Sequence, residues 1–254
     1  MKLRSSIPNS ITSLNLVCGA IAVTLAFRGF ETAAVYLVLA AALFDFLDGF
    51  SARLLNAYSP VGKELDSLAD LISFGMVPAV LILKRYENFF GADTLTDFEI
   101  AAPFFLTLIP LAIVLFSALR LAKFNVDTRQ SSSFIGLPTP ANAILIVSII
   151  HFTKGTDYLS GIEQTIWFWP SVSLLLSILL VSSIPMFSLK FKNLKWKDNR
   201  EVFGFIIFSF VTAFISVLFS ISWSGWAALV FLSYIIYNSA KFLITKRSVS
   251  IGRD

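Results

Sequence analysis

Charged residues are scarce in this sequence, where Asp, Glu, Lys and Arg together account for 14% of the 254 positions. Soluble domains typically carry about 25% charged residues. The low charge, together with 56% hydrophobic residues and a mean hydropathy of +0.79, excludes an ordinary soluble domain. We therefore expect a protein embedded in a lipid bilayer.

Cysteine and histidine are nearly absent, with one of each at Cys18 and His151. A single cysteine excludes a disulfide within the chain, and these two residues cannot supply a metal centre based on Cys or His. A metal site in this chain would have to use oxygen ligands, which favour Mg²⁺ or Mn²⁺ over zinc.

Eight apolar segments occupy nearly the whole chain and are separated by short polar stretches. Each is close to the ~20 residues that a transmembrane helix needs. The sequence therefore predicts an all-α fold, a polytopic membrane helix bundle in one domain of residues 1–254. The predicted spans are 12–28, 32–57, 64–83, 100–122, 138–153, 167–188, 202–221 and 224–245.

Most basic residues lie on one side of these predicted spans. Eight spans place both termini on the same side, and that side holds 16 of the 20 Lys and Arg residues. By the positive-inside rule, the termini and the loops 58–63, 123–137 and 189–200 should be cytoplasmic. The net charge of +4 thus reflects membrane topology, and we assign no nucleic-acid partner.

Four aspartates interrupt the second and third spans. Asp45 and Asp48 are three residues apart, and Asp66 and Asp70 are four apart, so each pair lies on one face of its helix. An unpaired carboxylate inside a bilayer costs at least ~2.5 kcal/mol, and neighbouring carboxylates also repel one another. A bound divalent cation explains the four aspartates better than buried basic residues do, because few basic residues lie close in sequence.

The two aspartate pairs are expected at the same depth. Residues 32–44 form an uncharged run that ends at Asp45, and residues 71–83 form an equal run that begins after Asp70. At about 1.5 Å per residue each run spans roughly 20 Å, which is less than the ~30 Å hydrocarbon core. The predicted active site therefore lies toward the cytoplasmic side of the second and third helices, beside the turn at 57–62.

These aspartates belong to a longer pattern. The sequence reads Asp45-x-x-Asp48-Gly49-x-x-Ala52-Arg53, then eight residues, then Gly62-x-x-x-Asp66-x-x-x-Asp70. Over residues 45–70 it resembles, at every position, the signature of the CDP-alcohol phosphatidyltransferase family. The N-terminal stretch Ile7-Pro8-Asn9-Ser10-Ile11-Thr12 is similar to the Pro-Asn-x-x-Thr entry segment of that family.

The resemblance implies a site in which divalent cations, Mg²⁺ or Mn²⁺ and two per site, clamp the pyrophosphate of a CDP-alcohol. It implies that Asp70 is both a metal ligand and the general base, and that the other ligands are Asp45, Asp48 and Asp66. It also implies that the donor, CDP-diacylglycerol, contacts Pro8, Asn9, Thr12, Gly49, Arg53, Ser59 and Gly62. Family members are commonly homodimers, so we expect a homodimer surrounded by membrane lipids.

Two further stretches, 118–125 and 134–141, are similar to those of the phosphatidylserine synthases within the family. This similarity implies transfer of a phosphatidyl group from CDP-diacylglycerol to L-serine by direct displacement, with release of CMP. Arg120 and Asn125 are candidates for binding serine, or they anchor the cytoplasmic end of the fourth span. Glycerol phosphate or inositol phosphate as acceptor, and an archaeal ether-lipid donor, remain alternatives. A phosphorylated acceptor would call for additional Arg or Lys.

Two interpretations lie outside this enzyme class. Buried aspartates are also typical of a divalent-cation transporter, but a cation path gains nothing from a nearby arginine such as Arg53. A pseudoenzyme scaffold would carry the same pattern without turnover.

Overall fold

The chain is almost entirely helical in the computed structural model, which describes residues 3–90, 102–127, 133–154, 160–187, 196 and 199–251. The α-helices of these residues are α1 Leu3–Phe27, α2 Glu31–Leu54, α3 Pro60–Asp70, α4 Val77–Phe90, α5 Ala102–Leu108, α6 Ala112–Val126, α7 Thr139–Lys154, α8 Ser160–Glu163, α9 Phe168–Val181, α10 Arg200–Leu218 and α11 Trp223–Ile251. A 3₁₀ turn, Ile109–Leu111, joins α5 to α6.

Six helical segments in the described part of the chain are long and apolar enough to cross a membrane: Ser6–Phe27, Glu31–Leu54, Pro60–Glu87, Phe105–Val126, Arg200–Leu218 and Trp223–Lys246. They coincide with the first four and last two predicted spans. The fifth and sixth predicted spans fall on the shorter helices α7 and α9, of 16 and 14 residues. The all-α polytopic membrane bundle is confirmed, and the count of eight spans stays a prediction.

The predicted sixth span was too long at its C-terminal end. Helix α9 ends at Val181, and the strand β2, Pro185–Phe187, follows within the predicted span. Proline has no backbone N–H to donate, and it disfavours helical backbone at the residue before it, here Ile184. The helix therefore stops before this proline.

Strand β2 pairs antiparallel with β1, Ser133–Ile135, in a two-stranded sheet that the sequence did not predict. Gly136 follows β1 with φ of +81°, and its backbone N–H donates to the Ile184 carbonyl oxygen at 2.9 Å. A Cβ at this position would collide with the Leu180 carbonyl oxygen. Only glycine suits this turn, which fixes the start of α7 against the end of α9.

The third span is central and is built from three parts. Helix α3, a π-helical turn at Leu71–Met76 and α4 form the continuous segment Pro60–Glu87. Inside the protein, 61% of its most apolar window is buried, against 17% to 33% for the other five segments. Helices α1, α2, α6, α7 and α9 pack around this segment. The π-helical turn directly follows Asp70, and such turns are frequent at functional sites.

Helix α1 packs against α2, α3 and the π-helical turn. The contact is close at Gly19, where a Cβ would overlap Ser73 Oγ and lie 3.0 Å from Ser73 Cα. Ser73 Oγ donates a hydrogen bond to the Asn15 carbonyl oxygen at 3.0 Å. This close approach brings the polar face of α1 to the aspartates of α2 and α3.

The other end of the bundle is held by a buried ion network around Arg85 of α4. Its guanidinium lies 2.6 Å from the Glu163 carboxylate and 3.4 Å from that of Glu31, and it also donates to Thr153. These partners lie on α8, α2 and α7, so one arginine joins four helices. The network lies far from the aspartates, at the opposite ends of the same helices.

We expect Gly19→Ala to lower the free energy of unfolding by about 1 to 3 kcal/mol, because overpacking this contact forces α1 away from Ser73. Thermal unfolding of detergent-solubilised protein, followed by tryptophan fluorescence, measures the change. Gly204→Ala is the matched control, because a Cβ at Gly204 would have no atom within 4 Å. Its melting temperature should stay the same or rise, and equal losses in the two variants would contradict the close contact.

Candidate active site

Three of the four aspartates meet at one point between α2 and α3. Asp45, Asp48 and Asp66 each offer a carboxylate oxygen, and these oxygens all lie within 4.8 Å of one another. Asp48 is 6% exposed. Three hard oxygen donors this close repel one another unless a cation lies among them, and they are the ligand type that Mg²⁺ or Mn²⁺ takes. The residues therefore fit a divalent cation.

Asp48 is held from α1. Thr12 Oγ1 donates a hydrogen bond to Asp48 Oδ2 at 2.6 Å, and Ser51 Oγ donates to the Asp48 carbonyl oxygen at 2.9 Å. The sequence assigned Thr12 to the donor lipid and did not predict this bond. The structure shows that Thr12 orients a carboxylate of the cluster.

Asp70 lies outside that group of three and is almost fully buried, at 7% exposed. Asn15 Nδ2 of α1 donates a hydrogen bond to Asp70 Oδ1 at 3.3 Å. The charge of Asp70 still interacts with those of Asp45 and Asp66. Its role as a metal ligand stays a prediction. Sequence reasoning missed Asn15, although an asparagine inside an apolar span is itself a signal.

A cavity of about 490 Å³ opens beside Asp48 and Asp66. Six of the seven residues predicted to contact the donor line it: Pro8, Asn9, Thr12, Gly49, Ser59 and Gly62. The seventh, Arg53, is exposed and is not among the lining residues, so its contact with the donor stays a prediction. Ala52, Ala57, Tyr58, Pro60 and Lys63 complete the lining.

The turn between α2 and α3 forms one wall of this cavity. Ser59 caps α3, since its Oγ accepts a hydrogen bond from the Gly62 N–H at 2.9 Å, and Pro60 occupies the first helical position. Gly49 forms part of the α2 wall, and a Cβ there would have no atom of the described residues within 4 Å. Gly49 therefore leaves open space rather than permitting a close helix contact.

The two residues predicted to bind serine lie in different places. Arg120 is buried on α6, where its Nη1 donates to Thr139 Oγ1 at 2.8 Å and its charge interacts with that of Asp70. Asn125 lies at the end of α6, where its Nδ2 donates to Ser67 Oγ of α3 at 2.9 Å. The structure thus places Arg120 near the buried aspartate, while Asn125 joins α6 to α3.

Comparison with known proteins gives similarity over most of the chain. The family profile described as CDP-alcohol phosphatidyltransferase matches residues 5–181. The chain is 32% identical over 250 residues to a CDP-diacylglycerol–serine O-phosphatidyltransferase of Helicobacter pylori, covering 97% of this chain and 95% of that protein. An archaetidylserine synthase of Methanothermobacter thermautotrophicus is 36% identical over 183 residues, covering 70% of this chain and 68% of that protein. A CDP-diacylglycerol–serine O-phosphatidyltransferase of Bacillus subtilis is 35% identical over 148 residues, covering 58% and 76%.

Replacement of Thr12 by valine keeps the shape of the side chain and removes the donor to buried Asp48. We expect the free energy of unfolding to fall by about 1.5 to 3 kcal/mol, the usual contribution of a hydrogen bond to a charged group. Thr24→Val on the same helix is the control, because the Thr24 hydroxyl is exposed and donates to the Ala20 carbonyl oxygen of its own helix. Equal melting temperatures for the two variants would contradict a supporting role for Thr12.

Proposed function

The chain belongs to the CDP-alcohol phosphatidyltransferase family, and from this premise we propose that it transfers the phosphatidyl group of CDP-diacylglycerol to L-serine, forming phosphatidylserine and CMP. The observation that carries the choice of acceptor is the match to the Helicobacter pylori enzyme along nearly the full length of both chains. The geometry of the site supports each part of the reaction.

The cavity beside Asp48 and Asp66 suits the nucleotide end of the donor. Gly49 has no side chain to obstruct the approach of a nucleotide to α2. Lys63 lines the same cavity and can neutralise a phosphate. Arg53, one turn further along α2, can reach a phosphate at the rim by paired hydrogen bonds.

Asp45, Asp48 and Asp66 would hold the divalent cation, Mg²⁺ or Mn²⁺, with Asp70 as a further ligand if two cations bind. Bound there, it would neutralise the charge that develops on the phosphoryl oxygens. Thr12 keeps Asp48 oriented toward this position, because its hydroxyl fixes one carboxylate oxygen.

Asp70 is the base in this proposal. Its Oδ2 takes the proton of the serine hydroxyl, while Oδ1 is held by Asn15. The serine oxygen forms a bond to the β-phosphorus, and the bond from that phosphorus to the bridging oxygen breaks. CMP leaves with the electron pair. One displacement inverts the configuration at phosphorus and forms no covalent enzyme intermediate.

An ether-lipid donor is the second candidate, favoured by the 36% identity to an archaetidylserine synthase. It would change the lipid chains and leave the acceptor and the residues of the site unchanged. The proposal also includes cytoplasmic termini and a cytoplasmic active site, which the excess of Lys and Arg on that side supports. A homodimer stays a prediction from the family.

Purified protein with labelled serine, CDP-diacylglycerol and Mg²⁺ or Mn²⁺ tests the proposal. We expect phosphatidylserine and CMP in equal amounts, no product in excess chelator, and loss of activity in Asp45→Ala because a ligand is removed from the cluster. Glu64→Ala is the matched control, since Glu64 is an exposed carboxylate on α3 outside the cavity lining. Full turnover in excess chelator would contradict the requirement for a metal. Preference for glycerol phosphate or inositol phosphate would contradict serine as the acceptor.

The variant Asp70→Asn distinguishes the role of Asp70 as a base from any role in binding the donor lipid. We expect kcat to fall by about 10² to 10⁴, the usual contribution of a general base, while CDP-diacylglycerol binds with much of its normal affinity. Single-turnover kinetics and direct binding of the donor lipid measure the two effects. An unchanged kcat would remove Asp70 from the chemistry. Exchange of labelled CMP into CDP-diacylglycerol without serine would instead indicate a covalent intermediate.

A further inference from the structure

The side chain of Asn142 on α7 is fully buried, at 0% exposed, yet neither its Oδ1 nor its Nδ2 has a hydrogen-bond partner among the described residues. A buried polar group without a partner costs about 1 to 3 kcal/mol. Such groups are rare in folded proteins and call for an explanation, such as a ligand. A primary amide with both ends unsatisfied is well suited to bind a small polar molecule.

Asn142 lies near other polar groups with unused bonding capacity. It is one turn along α7 from Thr139, the residue that accepts the hydrogen bond of Arg120. Ser117 lies one turn from Arg120 on α6 and beside Gly75 of the π-helical turn, because a Cβ at Gly75 would lie 3.2 Å from Ser117 Cβ. Ser117 Oγ and Asn15 Oδ1 are also buried, and neither has a hydrogen-bond partner in the part of the chain that the structure describes. The helices that carry these atoms, α1, α6 and α7, all pack against the π-helical turn that follows Asp70.

Arg120 adds one positive charge to this region. Its guanidinium lies over the rings of Phe124 and Phe134, at 5.5 and 5.8 Å from their centres, and donates to Thr139. It forms no salt bridge with any carboxylate that the structure describes. Arginine has five N–H donors, and the hydrogen bond to Thr139 uses one of them, so the guanidinium can also bind a ligand.

The single positive charge of Arg120 favours an acceptor with a carboxylate over an acceptor with a phosphate group. Arg120 and Arg85 are the buried basic side chains in the described part of the chain, and Arg85 is paired with Glu31 and Glu163 at the opposite end of the bundle. One arginine matches the single negative charge of a carboxylate. A phosphorylated alcohol carries about two negative charges beside the acidic cluster and would need further cations.

We propose that Arg120 and Asn142 form the acceptor site for a small zwitterionic amino acid such as L-serine, in which Arg120 binds the carboxylate and Asn142 Oδ1 accepts from the ammonium group. Asp70 belongs to both regions, since its charge interacts with those of Asp45 and Asp66 and also with that of Arg120. The inference rests on the proposed function and replaces Asn125 by Asn142 in the acceptor site.

Asn142→Leu tests the site because leucine has a similar volume and no hydrogen-bonding group. We expect the KM for serine to rise about tenfold or more, as for loss of a hydrogen bond to a charged group. The KM for CDP-diacylglycerol should not change. The melting temperature without substrates should rise, since the unsatisfied amide is gone. A merely structural asparagine would not combine higher stability with weaker serine binding.

Ser148→Ala is the matched control, because Ser148 lies on the same helix and is also fully buried with an unpartnered hydroxyl. Ser148 lies six residues beyond Asn142 on α7, so the KM of the Ser148→Ala variant for serine should be unchanged.

Two competitive inhibitors show which side chain binds which charged group of serine. 3-Hydroxypropionate, which lacks the ammonium group, should bind equally to wild type and Asn142→Leu. L-Serine methyl ester, which lacks the carboxylate, should bind equally to wild type and Arg120→Gln.

The outcomes separate this inference from the proposed function. If wild type transfers to serine but Asn142→Leu keeps a normal KM for serine, the acceptor site lies elsewhere and the function stands. The same conclusion follows if Asn142→Leu weakens the binding of serine and the binding of 3-hydroxypropionate equally. If wild type uses a phosphorylated alcohol and not serine, the proposed function fails and the amino-acid site fails with it.

Discussion

The structure depends on one electrostatic constraint, the repulsion among carboxylates placed inside an apolar helix bundle. Asp45, Asp48 and Asp66 bring their oxygens within 4.8 Å of one another, and the buried Asp70 interacts electrically with two of them. Such a group is stable in a membrane only when cations and hydrogen-bond donors offset the charge. The neighbouring helices supply the donors, and the ligand set suits a divalent cation.

Helix α1 supplies most of these donors, and its close packing makes that possible. Gly19 lets α1 approach Ser73, and that approach places Thr12 at Asp48 and Asn15 at Asp70. Three helices, α1, α2 and α3, therefore form the site, although the family signature lies on α2 and α3 alone. The π-helical turn after Asp70 belongs to the same arrangement, because it forms the surface against which α1, α6 and α7 pack.

The two ends of the bundle use buried charge in different ways. At one end Arg85 is paired with Glu31 and Glu163, so its charge is satisfied within the protein. At the other end Arg120 forms no salt bridge with a described carboxylate, although its charge interacts with that of Asp70, and Asn142 has no hydrogen-bond partner among the described residues. The Arg85 network joins four helices, whereas Arg120 and Asn142 form the acceptor site that we propose. This difference distinguishes a structural ion network from a site.

The sequence by itself determined the membrane bundle, the positions of most spans and the four aspartates, because apolar runs and residues three or four apart are local properties of a helix. It also identified six residues of the cavity lining through the family signature. Only the tertiary structure decided that three aspartates meet while Asp70 lies apart, and that Arg53 does not line the cavity. It likewise decided the pairing of β1 with β2 and the burial of Asn142 without a hydrogen-bond partner among the described residues. These features depend on contacts between segments distant in sequence, which local periodicity does not encode.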